Sequence, residues 1–325
     1  MKVGLKIEQG GLSYKQIIRL ASLGEELGYD SISLGDDYQD EFHSENGLTS
    51  PSLDPWTVLS GIALNTDRVK IMTLVTNNLI RHPGLVAKIA STVDLISKGR
   101  LVFGIGAGRP PTHSSPNVGE GPFVNFPDKA TRARMLDESL QVILKLWTDE
   151  GDSYFEGKYY KLERAESLPK PLQKPHPPVL VGGKGKDALL PIVAKYADIS
   201  NFFLATELPV QECERLLDAL RLECEKARRN FSDIRKTLTV PCSIIETKDT
   251  LERERKREER AKWENSQGGG KVTRPAGLYG TPEEITEQLQ GCERAGAEGV
   301  IISFPSSLQE DMARLFAEKI LHRVS

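Results

Sequence analysis

Ile71-Met-Thr-Leu-Val-Thr-Asn-Asn-Leu-Ile-Arg-His-Pro83 and, one helix later, Gly99-Arg-Leu-Val-Phe-Gly-Ile-Gly-Ala-Gly108 decide how this chain is read. Each half opens as a buried apolar strand and stops in a polar or glycine-rich loop. The amphipathic stretch between them, Pro83–Ile96, has the length of a right-handed βαβ crossover. Small polar residues and bare glycine backbone just past the carboxyl ends of parallel strands predict a ligand site there.

The alternation continues in both directions. Strands are expected at Val3–Ile7, Asp30–Leu34, Val69–Val75, Leu101–Ile105, Pro178–Val181, Ala197–Phe203, Leu238–Ile245 and Gly299–Ser303. Helices are expected at Tyr14–Leu27, Trp56–Leu64, Pro83–Ile96, Lys129–Trp147, Asp187–Lys195, Val210–Arg228, from Thr281 to near Gly296, and at Leu308–Leu321. Asp54-Pro55 and Thr281-Pro-Glu-Glu284 carry helix-start signatures, a side-chain cap followed by proline. Strict alternation of eight strands and eight helices predicts an α/β chain of the (β/α)8 TIM-barrel class; a doubly wound open sheet would suit the alternation too, but usually needs fewer strands per domain. The expectation is a single barrel domain over 1–325, with insertions near 36–54, 106–128, 151–175 and 246–275. One of these is a hairpin over Tyr154–Tyr160 turning on Glu156-Gly157.

Composition removes several function classes. A net charge of −3 over 325 residues offers no basic face for nucleic acid. Glu252–Arg260 mixes both signs and reads as a solvated helix. Four scattered cysteines without a Cys-x-x-Cys pair suit a reducing cytosol, and the apolar runs are too short to span a membrane. Met1–Ile7 reads as a strand rather than a signal peptide, so a cytoplasmic protein is expected. Without a His/Asp/Glu set at ligand spacing, no catalytic metal is expected. A Gly-x-Ser-x-Gly elbow is also missing, which argues against a serine hydrolase.

Several motifs carry candidate chemistry. Gly104-x-Gly106-x-Gly108 runs into Arg109-Pro-Pro111 rather than a helix, so it is not the dinucleotide fingerprint. Its glycines would let a planar ligand approach the fourth strand, or would simply begin a loop. Val181-Gly-Gly-Lys-Gly-Lys186 precedes a helix and is read as a phosphate grip using the Gly182 and Gly183 amides with Lys184 or Lys186, or else as a plain tight turn. Asp36 and Asp37 end the second strand, where a carboxylate pair would do acid/base work, bind a cation, or cap the loop. Thr73, Thr76, Asn77 and Asn78 would bond a heterocycle or satisfy loop backbone. Of the histidines, His82 is read as a helix cap, while His43 and His113 are candidate proton donors.

These stretches, with Asp54-Pro-Trp-Thr-Val-Leu-Ser60, Asp94-Leu-Ile-Ser-Lys98, Pro175-His-Pro-Pro178, Ala197-Asp198 and Gly280-Thr-Pro-Glu-Glu-Ile285, resemble in order the bacterial luciferase-like family. The resemblance implies a TIM barrel using FMN or the deazaflavin coenzyme F420, with details closer to the F420-dependent branch. It implies a non-proline cis peptide at Thr73-Leu74 beneath the ring. It implies ring and ribityl contacts from Asp36, Thr73, Leu74, Thr76, Ala107, Gly108 and Arg109, with the phosphate at Gly182, Gly183 and Lys184. Where sugar-phosphate dehydrogenases of that family carry a histidine and a glutamate, this chain has Asp37 and Arg109, so their specific activity does not follow. The expected function is hydride transfer between deazaflavin C5 and a small organic substrate, with Asp37, His43 and His113 as catalytic candidates. The alternative is an FMN-dependent monooxygenase fed by a partner reductase, and a third reading is a cofactor-less binding or regulatory barrel. The resemblance also implies a homodimer and a possible flavin or F420 reductase partner.

Overall fold

The computed structural model describes residues 1–37, 39–40, 50–108, 126–183, 185, 188–206, 209–246, 249, 277–305 and 308–324. The barrel strands are β1 (Lys2–Ile7), β2 (Ser31–Leu34), β3 (Lys70–Thr73), β4 (Leu101–Gly106), β5 (Val179–Gly182), β6 (Ile199–Phe203), β7 (Arg235–Ile244) and β8 (Gly299–Ser303). Each pairs in parallel with the next. β8 pairs with β1, with Val3 opposite Val300, and the ring is closed. The expected (β/α)8 barrel is the observed fold. Around it lie α1 (Tyr14–Glu26), α2 (Pro55–Leu64), α3 (Pro83–Ile96), α4 (Lys129–Thr148), α5 (Leu190–Tyr196), α6 (Pro209–Ala227), α7 (Pro282–Arg294) and α8 (Gln309–Phe316).

Local chemistry sets the helix starts. Ser13 and Gln16 form a capping box on α1, Thr281 and Glu284 another on α7, and Asp54 and Asp128 cap α2 and α4. His82 caps α3, its Nδ1 accepting the Gly84 amide at 3.1 Å, which is the role read for it from sequence.

Two apolar layers result. The larger lies between strands and helices, with Phe103 edge-on to Trp147 at 5.1 Å. The smaller is the barrel interior: Met72, Val102, Leu180, Ile199 and Ile301, one from each of five strands. Side chains on a strand alternate, so positions two or four residues beyond each plug residue face the same interior toward the carboxyl ends. Those positions are Gly104 and Gly106 after Val102, Gly182 after Leu180, and Asn201 and Phe203 after Ile199. The strands thus pass from an oily plug to a bare and polar mouth.

Several boundaries differ from the sequence reading. β3 ends at Thr73, not Val75, and pairing with β4 resumes only at Thr76–Asn77. The hairpin pairs Ser153–Glu156 with Lys161–Ala165, so its turn is Gly157–Tyr160 rather than Glu156-Gly157. Glu138 accepts the amides of Lys158, Tyr159 and Tyr160 and holds that wider turn. α5 starts at Leu190, not Asp187, because the Gly185 carbonyl takes the amides of Ala188, Leu189 and Leu190 in a tight turn. The charged run Glu252–Arg260, read as a solvated helix, lies outside the described residues. Among the described residues no helix is long and apolar enough to cross a membrane.

Glu25, in the last turn of α1, accepts the amides of Asp67, Arg68 and Val69 at 3.0, 2.7 and 2.9 Å, pinning the entry to β3. Partial burial alone would raise its pKa. The three amides and the Arg68 charge outweigh that and hold it below the usual carboxylate range. Its contribution is therefore full above the unfolded carboxylate pKa and is lost as pH falls through the lower folded value. Glu25→Gln should cost about 1–2 kcal/mol, and the deficit against wild type, read by urea unfolding, should shrink as the pH is lowered below about 4.

Candidate active site

A cavity of about 710 Å³ opens at the carboxyl-terminal mouth of the barrel. Sites for small organic ligands typically occupy ~300–1,000 Å³. Its walls come from most of the ring: Asp36 and Asp37 after β2, Leu74–Asn77 after β3, Gly106–Gly108 at and after the end of β4, and Gly182 and Gly183 at and after the end of β5. Lys6, Asn201, Phe203 and Thr239 face it from β1, β6 and β7, and Lys129, Arg132 and Ala133 from α4.

The wall between β3 and β5 is built by a chain segment folded into glycine. Leu74-Val75 is a non-proline cis peptide, one residue after the expected Thr73-Leu74. Thr73 stays in the ladder opposite Leu34, its hydroxyl donating to the Gly104 carbonyl at 2.9 Å and sharing a 2.7 Å bond with Thr76. The chain therefore departs from the strand only after it. Val75 then turns onto β4 and β5. A Cβ on Gly106 would sit 2.7 Å from Val75 Cγ2, and one on Gly182 would sit 2.9 Å from Val75 Cγ1. A Cβ on Gly104 would sit 2.0 Å from the Thr73 carbonyl oxygen. Gly104 and Gly106 thus make room for the chain's own bulge, a use the sequence reading did not include, while Gly106 and Gly108 also line the cavity. Gly108, at φ +83°, fits beside Asn77 and Leu79.

Asp36 is not a free acid. Its Oδ2 accepts the Asn77 amide at 2.9 Å and an Arg81 N–H at 2.7 Å. The other arm of Arg81 reaches Asp54, whose second oxygen caps α2 at Thr57. Burial pushes the Asp36 pKa above the usual carboxylate range, against the pull of Arg81 and the Asn77 amide. Asp37 lines the cavity beside it.

The floor opposite the bulge is polar and fixed. Thr239 donates to Asn201 Oδ1 at 2.9 Å, Asn201 donates to Thr237 at 3.0 Å, and Thr237 donates to the Ser200 carbonyl at 2.7 Å. Lys6 bonds both oxygens of Glu8 at 2.8 Å, and Gln309 of α8 exchanges hydrogen bonds with the Glu8 backbone. At the other end, Arg132 donates to the Gly108 carbonyl and lies over the Phe126 ring, while the Lys129 ammonium stands over Gly185.

The predicted grip on phosphate needs correction: the Gly183 amide donates to the Asn201 carbonyl at 3.1 Å and is not bare. The structure brings Asp36, Asp37, Leu74, Thr76, Ala107, Gly108, Gly182 and Gly183 around one cavity, with Thr73 directly behind it. His43, Arg109, His113 and Lys184 lie outside the described residues. Sequence reasoning missed Lys6, Arg81, Lys129, Arg132, Asn201 and Thr239. Of these, Asn201 lies two residues beyond the plug residue Ile199 on the same face of β6. Among the described residues no group of three His, Cys, Asp or Glu could hold a metal ion.

A family model described as luciferase-like monooxygenase matches residues 1–299. An F420-dependent glucose-6-phosphate dehydrogenase of Microbacterium testaceum is 27% identical over 345 residues, covering 100% of this chain and 97% of the relative. Another, from Kineococcus radiotolerans, is 30% identical over 250 residues, covering 76% of this chain and 69% of the relative. A solved F420-dependent secondary alcohol dehydrogenase in complex with an F420-acetone adduct superposes with a TM-score of 0.83 at 18% identity, covering 100% of this chain and 99% of that one.

The wall predicts its own double-variant test. Gly106→Ala should destabilise the protein by about 1–3 kcal/mol through overpacking. Adding Val75→Ala should recover part of that loss, because the two sites are in contact and not additive. Equal losses in the single and double variants, measured by thermal unfolding, would contradict the packing described.

Proposed function

This chain belongs to the luciferase-like monooxygenase family, and from that premise we propose that it is an F420-dependent oxidoreductase acting on a small organic alcohol or carbonyl compound. The single observation that carries the reading is the shape of the mouth. Leu74 and Val75 present an apolar face to a cavity sized for a tricyclic ring and a small partner, and the opposite wall is polar. The F420-dependent activities of the relatives support F420 over FMN. When bound, the deazaflavin supplies hydride chemistry at C5; the protein's part is orientation and exclusion of water.

In this reading Leu74 and Val75 support one face of the ring. Asp36, Thr76, Ala107 and Gly108 meet its edge and side chain, and Arg109 is assigned to the same group of contacts. Lys129, Gly182 and Lys184 take the phosphate end, with Lys129 supplying charge at a rim where the Gly183 amide is committed elsewhere. The substrate lies against Lys6, Asn201 and Thr239. Asp37, with His43 and His113, holds or delivers the proton at the substrate oxygen. Asp37 and Arg109 stand where the sugar-phosphate dehydrogenases of the family carry histidine and glutamate, so the substrate is read as something other than a sugar phosphate.

The enzyme is further read as a cytoplasmic homodimer that shares its F420 pool with a separate reductase. Leu64 in α2 and Leu85 in α3 stand 74% and 53% exposed, which supports pairing through barrel helices.

Titration of the purified protein with F420 and with FMN, followed by fluorescence and thermal shift, tests the reading. F420 should bind and raise the unfolding temperature, and FMN should bind weakly. Tight FMN binding without F420 binding, together with oxygen-dependent turnover when a flavin reductase is added, would replace it with the monooxygenase reading.

A further inference from the structure

We propose that Arg81 is a positioning residue: by bridging Asp36 and Asp54 it fixes the Asp36 carboxylate and, through the Asn77 amide, sets the bulge in the form that receives a planar ring. Arg81 does not itself line the cavity; it stands behind Asp36, which does. It stands one residue before the cap of α3, and Asp54 is the cap of α2. Its two arms therefore tie three ends at one corner of the mouth: the loop after β2, the start of α2 and the start of α3.

Three observations carry this beyond a simple ion pair. The Asp36 side chain is 3% exposed and that of Arg81 13%, so both charges are largely out of water and each needs the other. Asp36 Oδ2 is shared between Arg81 and the Asn77 amide, so the guanidinium and the bulge compete for and align one oxygen. Asn77 in turn uses its Oδ1 for the Leu79 amide at 3.0 Å and pairs with Gly106, the glycine that Val75 covers. A movement at Arg81 is therefore passed through a single carboxylate to the segment that forms the wall. Lysine could not reproduce it, because a point ammonium lacks the fork that reaches two carboxylates at once.

The inference rests on the cofactor reading only in its binding arm, so two measurements are paired. In ligand-free protein, hydrogen exchange at the Asn77 amide should speed up about tenfold in Arg81→Met, the loss of roughly one hydrogen-bond equivalent. Arg81→Lys should fall between that variant and wild type. In the second arm, which leaves Asp36 in place, Arg81→Met should bind F420 about tenfold more weakly than wild type and Arg81→Lys about threefold, with thermal unfolding checking that both variants are folded. Wild-type protection of Asn77 in Arg81→Met would overturn the proposal. So would wild-type F420 affinity in folded Arg81→Met or Arg81→Lys, which would reduce Arg81 to a structural ion pair. If wild-type protein itself failed to bind F420, the cofactor reading would fall and the exchange arm alone would decide for or against the clamp.

Discussion

Val75 packed onto bare backbone is the contact on which the mouth of this barrel depends. The isopropyl group occupies the space that side chains on Gly106 and Gly182 would need, and the Thr73 carbonyl occupies that of Gly104. Interiors are packed at crystal-like density, so such space is filled either by side chains from one strand or by a loop from its neighbour. Here the neighbour wins. The result is a ledge of Leu74 and Val75 standing above the apolar plug, with an open cavity beside it instead of a third layer of side chains.

The charges around that cavity follow from the same architecture. A barrel mouth lined by glycine and apolar groups solvates ions poorly, so each buried charge there is met by another protein group. Asp36 is met by Arg81 and an amide, Lys6 by Glu8, and Glu8 is steadied by Gln309. Buried pairs of this kind contribute little to stability compared with apolar replacements. Their value is in holding direction: they fix where a carboxylate, an ammonium and a carbonyl point before any ligand arrives. The stabilising work is done farther out, in the layer of strands against helices and in anchors such as Glu25 at the entry to β3.

Much of the fold was legible because its signals are local. The caps at Asp54, His82 and Thr281, the apolar periods of the helices and the buried strands can all be read within a few residues. The closed ring then follows from strict alternation and the handedness of crossovers. What could not be read was the partner of each glycine. A Gly-x-Gly-x-Gly row shows that one face of a strand is bare, but not whether a ligand or the chain itself covers it. Gly183 failed for a related reason, since its amide is spent on a carbonyl of the next strand, a pairing set by barrel register. The break in β3 was placed too late as a strand end and its cis bond one residue too early, because nothing in Thr73-Leu74-Val75 marks which residue leaves the ladder. Arg81 was passed over since its two carboxylates lie far from it in sequence. Lys6 was hidden in what reads as an ordinary amphipathic first strand.

The central claim is that a planar redox ring lies against the ledge made by Leu74 and Val75. A crystal structure of the protein soaked with F420 measures this directly. The account predicts ring density with one face on those two residues, its edge toward Asp36 and Ala107, and its phosphate toward Lys129. Ring density at any other place on the barrel, or a mouth in which the β3 ledge has withdrawn from Gly106 and Gly182, would contradict it.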